Sequence, residues 1–566
     1  MCGITGIIHT NRQVSFDEID RFTNMLEHRG PDDKGIFIKD NVAFGHRRLS
    51  ILDLSPAGRN PLYKKFDDGS EYIITYNGEI FNFIELKNEL IKYGYRFDTQ
   101  TDTEVILAAY HKYGDECLHH FNGMWAFAIL NLQTNDIFIS RDRFGIKPLY
   151  YCTTPSSLYF ASEIKAFLAI PEYSFEFDEI EVRKALSNVV NYEGNSHYTI
   201  FKNIYKLLPG YNLKIKNGIE ASVEKWWFLE NNIKETSLSY EEQKNEFKYL
   251  LLDAIKIRLR SDVNIGTSLS GGVDSSVIAC AINHLFKENS NIQRIPKDLQ
   301  SIFSITFPGS FLDEKEFIDI VIKEKNIKVK YLSISEPSEF DIIKSTYFSE
   351  NLTISSLYPI LQMYNLMRKN KVTVTLDGHG SDELLCGYSF YLNWQLNNFF
   401  PNLIYNFEKG ILPAILKNFD ITSMASGVEV RMPFLDHRLV SFIFSLPYCS
   451  IIGNGYTKRI LRESFDDLVP FSIIYRQSKI GINSPLNSWF NTNLNNIVLS
   501  FFEDNFSKNN NFFDYKRLYQ KFFEKTKLKN WQNNLEDFNQ ANELWIHLNL
   551  FLLNHLYIEN NWKKYV

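Results

Sequence analysis

Ser270-Gly271-Gly272-Val273-Asp274-Ser275-Ser276 stands between an apolar, strand-like approach and a helical run from Val277 to Lys287. Adjacent glycines let backbone N–H groups approach phosphate oxygens, the start of the helix adds the positive end of its dipole, and the serine hydroxyls add donors. Asp274 inside such a cradle would repel phosphate unless a cation intervened, so the segment implies Mg²⁺ held between carboxylate and pyrophosphate. The G-x-x-x-x-G-K-[ST] loop is absent, which disfavours γ-phosphate chemistry. Taken alone, the same residues also suit a Gly-Gly turn capped by Ser and Asp.

Working outward, strands alternate with longer helices from about residue 231 onward, the mark of a parallel α/β sheet. Thr375-Leu376-Asp377-Gly378-His379-Gly380-Ser381-Asp382-Glu383 follows the expected strand Val372 to Leu376, where an open parallel sheet presents its ligands. Asp382 is a sensible second metal carboxylate. Glu429-Val430-Arg431-Met432-Pro433-Phe434-Leu435-Asp436 and Lys458-Arg459-Ile460-Leu461-Arg462-Glu463 offer cations that could neutralise phosphate charge. Before residue 230 the chain reads as short β-rich runs, such as Glu71 to Tyr76 and Met124 to Leu130, with fewer helices, such as Asp102 to Lys112. The polar stretch Asn231 to Ser237 divides two domains, 1–230 and 231–566.

Residue 2 is a cysteine, and removal of Met1 would make it both a thiol nucleophile and a free amine able to take the thiol proton. A thiolate attacking a carboxamide needs oxyanion donors. Asn77-Gly78, after an apparent strand, could supply a side-chain amide and a backbone N–H, although Asn-Gly alone is more often a plain hairpin turn. Arg48 could grip a carboxylate and Asp102 an ammonium group.

The 566 residues carry a formal charge of -6, with 44% hydrophobic and 23% charged residues, so nothing pulls the chain toward nucleic acid or an anionic membrane. Small-molecule chemistry in a reducing, cytoplasmic setting is expected, because the six cysteines show no C-x-x-C spacing and the start shows no signal-peptide pattern. The apolar stretch Leu544 to Ile558 falls short of the ~20 residues of a membrane span and reads as a buried amphipathic helix. Lys508-Asn509-Asn510-Asn511 reads as a surface loop.

The motifs Met1-Cys2-Gly3-Ile4, His28-Arg29-Gly30-Pro31-Asp32, Arg48-Leu49-Ser50-Ile51, Tyr76-Asn77-Gly78-Glu79-Ile80, Thr101-Asp102-Thr103-Glu104 and Arg141-Asp142-Arg143-Phe144-Gly145-Ile146-Lys147-Pro148-Leu149 together resemble a class II glutamine amidotransferase domain. The Ser270 segment resembles the pyrophosphate loop of ATP pyrophosphatases. In this order the two resemble glutamine-dependent asparagine synthetase over nearly the whole chain. The resemblance implies a two-domain α/β fold, an N-terminal-nucleophile hydrolase αββα sandwich followed by a parallel-sheet ATP-pyrophosphatase domain.

It also implies roles. Cys2 would attack glutamine, with Asn77 and Gly78 at the oxyanion and Arg48, Leu49, Ser50, Ile51, Leu52, Glu79 and Asp102 around the substrate. Ser268, Ser270, Gly271, Gly272, Asp274, Ser275, Ile305, Asp377 and Gly378 would bind ATP as co-substrate, with Asp274 and Asp382 on Mg²⁺ and Lys458 on the departing pyrophosphate. Ammonia would pass through an internal channel to an acyl adenylate. A homodimer is compatible with the sequence.

Two departures concern the acceptor. Typical members read S-G-E-G where this chain has Asp377-Gly378-His379-Gly380, so His379 stands at a catalytic glutamate position, and a neutral imidazole can still accept a proton. An ungapped alignment also puts Ser355 where the typical enzyme has an arginine suited to the α-carboxylate of aspartate. Aspartate is the family default, with a sugar uronic acid as the alternative and a poor fit for aspartate as the expectation. Arg368 or Arg431 could compensate. A ligase acting on a nucleotide or tRNA and a non-catalytic assembly protein are weaker readings.

Overall fold

The computed structural model describes residues 2–217, 220–288, 292–295, 299–325, 327–394, 398–477, 481, 483–503, 514–526 and 530–565. The first half holds two antiparallel six-stranded sheets. One runs, edge to edge, Ile204–Lys206, Tyr150–Thr154, Ser157–Ala161, Gly3–His9, Val42–Arg48 and Asp33–Lys39. The other runs Glu220–Lys225, Tyr211–Lys216, Ile137–Arg141, Gly123–Asn131, Glu71–Ile80 and Leu62–Lys65.

Side chains alternate across each strand, and the alternation builds the layers. Ile4 and Ile8 point between the sheets and meet Ala126, Ala128 and Leu130 from the second one. Ile7 points the other way, into a cluster with Ile19 and Phe22 of the helix Phe16–Asn24. On the far side Ile74, Phe127 and Ile129 pack with Val105 and Ile106 of the helix Asp102–Tyr113. The layers are therefore helix, sheet, sheet, helix. Fully buried Trp125 and Phe44 fill this sandwich.

The second half is built on a five-stranded parallel sheet in the order Val329–Ser333, Leu299–Thr306, Ile265–Ser268, Val374–Leu376, Glu429–Arg431. The first of these strands in the chain, Ile265–Ser268, lies at the centre, so successive connections leave it in opposite directions and open a crevice at its C-terminal end. Ser270 and Asp377 follow the two strands that flank that switch point.

Several expectations need adjusting. Strand Glu71–Ile80 runs straight through Asn77-Gly78, which pair with Ala126 and Trp125, so this Asn-Gly is not a turn. A Cβ at residue 78 would lie 2.2 Å from the Met124 carbonyl oxygen, which is why the strand carries glycine there. The helix after the phosphate loop starts at Val273, which puts Asp274 in its first turn. Leu544 to Ile558 lies in the buried helix Leu535–Leu553 and the π turn Asn554–Ile558, and no described helix is long and apolar enough to cross a membrane. Residues Lys508 to Asn511 fall outside the described residues.

Candidate active site

Cys2 begins the strand-rich half beside Asn77, whose Oδ1 accepts the Cys2 N–H at 3.0 Å. That bond turns the Asn77 amide so that Nδ2, fully enclosed, has no protein partner among the described residues. A buried, unsatisfied donor next to a thiol is the arrangement an oxyanion requires. The thiol lies 4.0 Å from the Leu49 carbonyl oxygen, and Arg29 Nε donates to the Cys2 carbonyl at 2.9 Å. Burial raises the Cys2 thiol above its ordinary value, despite the opposing pull of the chain's amino terminus and Arg48. A base must therefore take the proton before attack.

Arg48, Leu49, Ile51, Leu52, Gly78, Glu79 and Asp102 line a cavity of about 40 Å³ with Cys2. Their side chains are more committed than the motif implied. The Arg48 guanidinium donates to the carbonyls of Ser55 at 3.0 Å, Leu52 at 3.4 Å and Asp53, so it also ties down the 52–55 loop. Ser50 is not on the cavity wall; its N–H goes to Asp32 at 2.8 Å. Asp102 accepts from Tyr76 OH at 2.7 Å and Ile80 N–H at 2.8 Å, and burial pushes it up to about 6. Burial and the nearby Asp102 charge also raise Glu79 well above the ordinary range, against the pull of Arg431.

One wall of this cavity comes from the other half of the chain. Glu429 lines it, and fully buried Arg431 holds Glu429 at 2.5 Å and Glu79 at 3.3 Å. Arg431 thus sits at the interface between the halves and not on phosphate. The short strand carrying both pairs with Val374–Leu376, and the Arg431 carbonyl accepts the Asp377 N–H at 3.0 Å. Residues two apart on the strand Glu429–Arg431 project to one face, which puts both charges on the side of Glu79.

The second site opens at the crevice of the parallel sheet, as a cavity of about 440 Å³. Ser270, Gly272, Asp274 and Ser275 line one side, and Ser268, Asp377, Gly378, His379, Asp382 and Lys458 the other. Gly271 has φ +77, and a Cβ there would lie 2.9 Å from the Phe317 Cβ, so the loop needs glycine. Lys458 Nζ lies 2.7 and 2.6 Å from the Asp274 carboxylate oxygens and 2.5 Å from Asp382 Oδ1, while Ser381 donates to Asp274 at 2.8 Å. Burial would lower the Lys458 ammonium, but the two carboxylates outweigh it and hold it above its ordinary value. Two acids converge on one cation position.

Other expected residues lie elsewhere. Ile305 packs against the cluster of Phe307, Leu312 and Phe538 and is not on the cavity wall. Arg459 pairs with Glu463 at 2.9 Å and with the Cys449 carbonyl. Arg368 reaches Thr373 and Asp32, at the boundary between the halves. Ser355 does line the cavity, where its hydroxyl accepts the Ser484 N–H at 3.3 Å. Val190, from the first half, and Phe419 also form the wall; neither carries a sequence signal beyond hydrophobicity.

A half-buried cysteine beside an enclosed amide donor, joined in one chain to a Gly-rich loop whose Asp274 shares Lys458 with Asp382, fits a glutamine-hydrolysing amidotransferase coupled to an ATP-using synthetase. Residues 1–227 match the glutamine amidotransferase domain family, and residues 246–413 and 402–550 the asparagine synthase family. The chain belongs to the glutamine-dependent asparagine synthetase family and is a ligase-type enzyme. Asparagine synthetase (glutamine-hydrolysing) 3 of Bacillus subtilis is 30% identical, over 84% of this chain and 86% of its own length. Asparagine synthetase B of Escherichia coli is also 30% identical, over 87% and 84%. A more distant relative, 26% identical over 84% of this chain and 75% of its own, is named amidase chry2, from Gibberella zeae.

Proposed function

We propose that the chain forms asparagine from aspartate, ATP and glutamine, releasing AMP, pyrophosphate and glutamate. Cys2, freed of Met1, attacks the glutamine side-chain amide; its own amine takes the thiol proton. Asn77 Nδ2 and the Gly78 N–H stabilise the oxyanion, and Arg48, Glu79 and Asp102 orient the substrate. The ammonia then moves along the boundary where Glu429 and Arg431 join the two halves. At the second site Ser270, Gly271, Gly272 and Ser275 hold the phosphates, and Ser268, Asp377 and Gly378 lie toward the nucleoside.

Asp274 and Asp382 would hold Mg²⁺, since their carboxylates already share one ammonium, within 2.7 Å of Asp274 and at 2.5 Å from Asp382. When bound, Mg²⁺ would neutralise charge on the leaving pyrophosphate. Lys458, already beside both acids, would donate to the departing pyrophosphate.

The convergence of Asp274, Lys458 and Asp382 beside the Gly-rich loop carries this reading. This reading takes the domain division at 230/231 and a cytoplasmic location, and a homodimer is compatible with it. Aspartate is preferred because the relatives that are 30% identical are named for asparagine. The uronic acid reading lacks that support, although Ser355 in the wall supplies no guanidinium. Pyrophosphate release with ATP, Mg²⁺ and glutamine, screened across aspartate, uronic acids and nucleotide-linked uronic acids, tests the reading. Aspartate-dependent release with asparagine as product is expected; release only with another carboxylate would move the acceptor, and no release with any would refute the function.

A further inference from the structure

The large cavity extends beyond the residues assigned to ATP and pyrophosphate. Ile411, Ile415 and Phe419 recur at four-residue spacing on the helix Ile411–Met424 and all line the cavity, whereas Leu412, Leu416 and Asp420, one position on from each, are buried. Phe419 marks the reaction end, its ring centroid 3.6 Å from that of His379. At the rise of an α-helix, Ile415 and Ile411 lie about 6 and 12 Å further along. Val190 of the helix Val189–Asn195 and Ile354 add to this arm; Ile354 is 43% exposed between buried Thr353 and Ser355, so its side chain projects into the cavity.

One buried carboxylate ties these walls together from behind. Glu193 accepts from Asn351 Nδ2 at 3.1 Å and pairs with Lys417 at 3.4 Å and Lys206 at 3.5 Å. Glu193 is three residues from Val190, Asn351 is three from Ile354, and Lys417 stands between Ile415 and Phe419, so all three apolar segments share the anchor. A Cβ on Gly194 would lie 2.7 Å from the Lys409 backbone, and glycine there lets the two helices approach. The arm is therefore preformed. The cations on the cavity wall are committed at the other end: Lys458 to Asp274 and Asp382, Arg462 to the Thr457 carbonyl at 2.8 Å, and Arg476 to Glu314 at 2.5 Å and the Gly271 carbonyl at 3.2 Å.

We infer that this arm binds the apolar body of a second acceptor class, a carboxylic acid carried on an aliphatic chain, which the enzyme amidates besides aspartate. The inference rests on the proposed amidation chemistry and not on the choice of aspartate. The acid's carboxylate oxygen displaces pyrophosphate from the α-phosphorus of ATP. Ammonia then forms a C–N bond to the acyl carbon, the C–O electron pair leaves with AMP, and the surplus proton goes to water. Aspartate is too short to reach Ile411, and the hydroxyls of a uronic acid would exchange water for side chains that return no hydrogen bond.

The test measures pyrophosphate release and amide formation with ATP, Mg²⁺ and ammonium across straight-chain alkanoates from butanoate to decanoate, beside aspartate and glucuronate. Each buried methylene is worth about fourfold, so KM should fall by about that factor per methylene until the chain fills the arm, and then level off. Ile411→Trp, two turns from Phe419, should bring the levelling-off to shorter chains, and Ile415→Asn should flatten the dependence. Both readouts are trends within one variant, so a less active variant still reports. A KM independent of chain length, a preference for glucuronate over octanoate, or trends unaltered in both variants would overturn the inference. Pyrophosphate release with aspartate but with no alkanoate would also overturn it and leave the proposed function standing; no release with any carboxylate would remove both.

Discussion

The two sites solve opposite problems with opposite construction. The Cys2 cavity, about 40 Å³, is set in the strands of a sandwich, and its polar groups are locked by backbone partners; the crevice at the parallel sheet, about 440 Å³, is made of loops and helix starts. A single small amide suits the first, whereas a nucleotide with an acceptor needs the second. Charge is handled differently as well. Beside the thiol, Arg431 pairs with Glu79 and Glu429 while Arg48 lines the same cavity, whereas in the crevice Lys458 bridges Asp274 and Asp382. Each site borrows a wall residue from the other half, Glu429 in one direction and Val190 in the other.

The largest separation between the sites should come from the nucleophile. Cys2→Ala is expected to lower glutamine-dependent amide formation by about 10⁴-fold or more, as loss of a covalent nucleophile does, while ammonium still supports product. Equal loss with both nitrogen donors would break the contrast. Asp274→Asn or Asp382→Asn should do the reverse, cutting pyrophosphate release about 10³-fold with either donor, since charge on the leaving group would go uncompensated. Undiminished release from both variants would remove the metal assignment.

The shared wall sharpens the comparison further. Arg431→Met leaves Glu79 and Glu429 buried without their cation, and stranding a buried charge costs about 3–5 kcal/mol. Denaturant unfolding should show a loss near the lower figure, since burial already drives Glu79 toward its neutral form. A loss below about 1 kcal/mol, the range of an exposed pair, would mean the two halves are not joined through this residue.

A last effect is read as a slope with pH. Burial lowers His46 from 6.5 to about 3, its Nε2 lying 3.0 Å from the Tyr76 carbonyl oxygen. The unfolded chain takes up this proton first, so the contribution is complete above pH 6.5 and fades by about 1.4 kcal/mol per pH unit down to the folded value near 3. His46→Gln should flatten that slope in the strand-rich half; an unaltered slope would show that His46 does not titrate on unfolding.

Much of this was legible in the chain because short-range chemistry dictated it. Gly271 and Asp274 could be read from the Ser270 segment itself, a glycine with positive φ leading into the first turn of a helix. Asn77-Gly78 misled as a turn because its local preference is overridden by pairing with Trp125, 47 positions away. Arg431 could not be placed from sequence at all. Its role depends on Glu79, 352 residues distant, and only the packing of one domain on the other brings them together. In sequence Arg459 offers a cation for phosphate, but Glu463, one helical turn on, takes its charge, a local pairing at four residues' spacing.

The central claim is that nitrogen freed at Cys2 reaches the acyl adenylate beside Lys458 within one molecule. Glutamine labelled with ¹⁵N at its side-chain amide, supplied with ATP, Mg²⁺ and aspartate against an excess of unlabelled ammonium, measures this by mass spectrometry of the amide product. The account predicts a product enriched in ¹⁵N well beyond the labelled fraction of the dissolved ammonia, and loss of that enrichment in Cys2→Ala. A product whose label merely tracks the dissolved pool would contradict it.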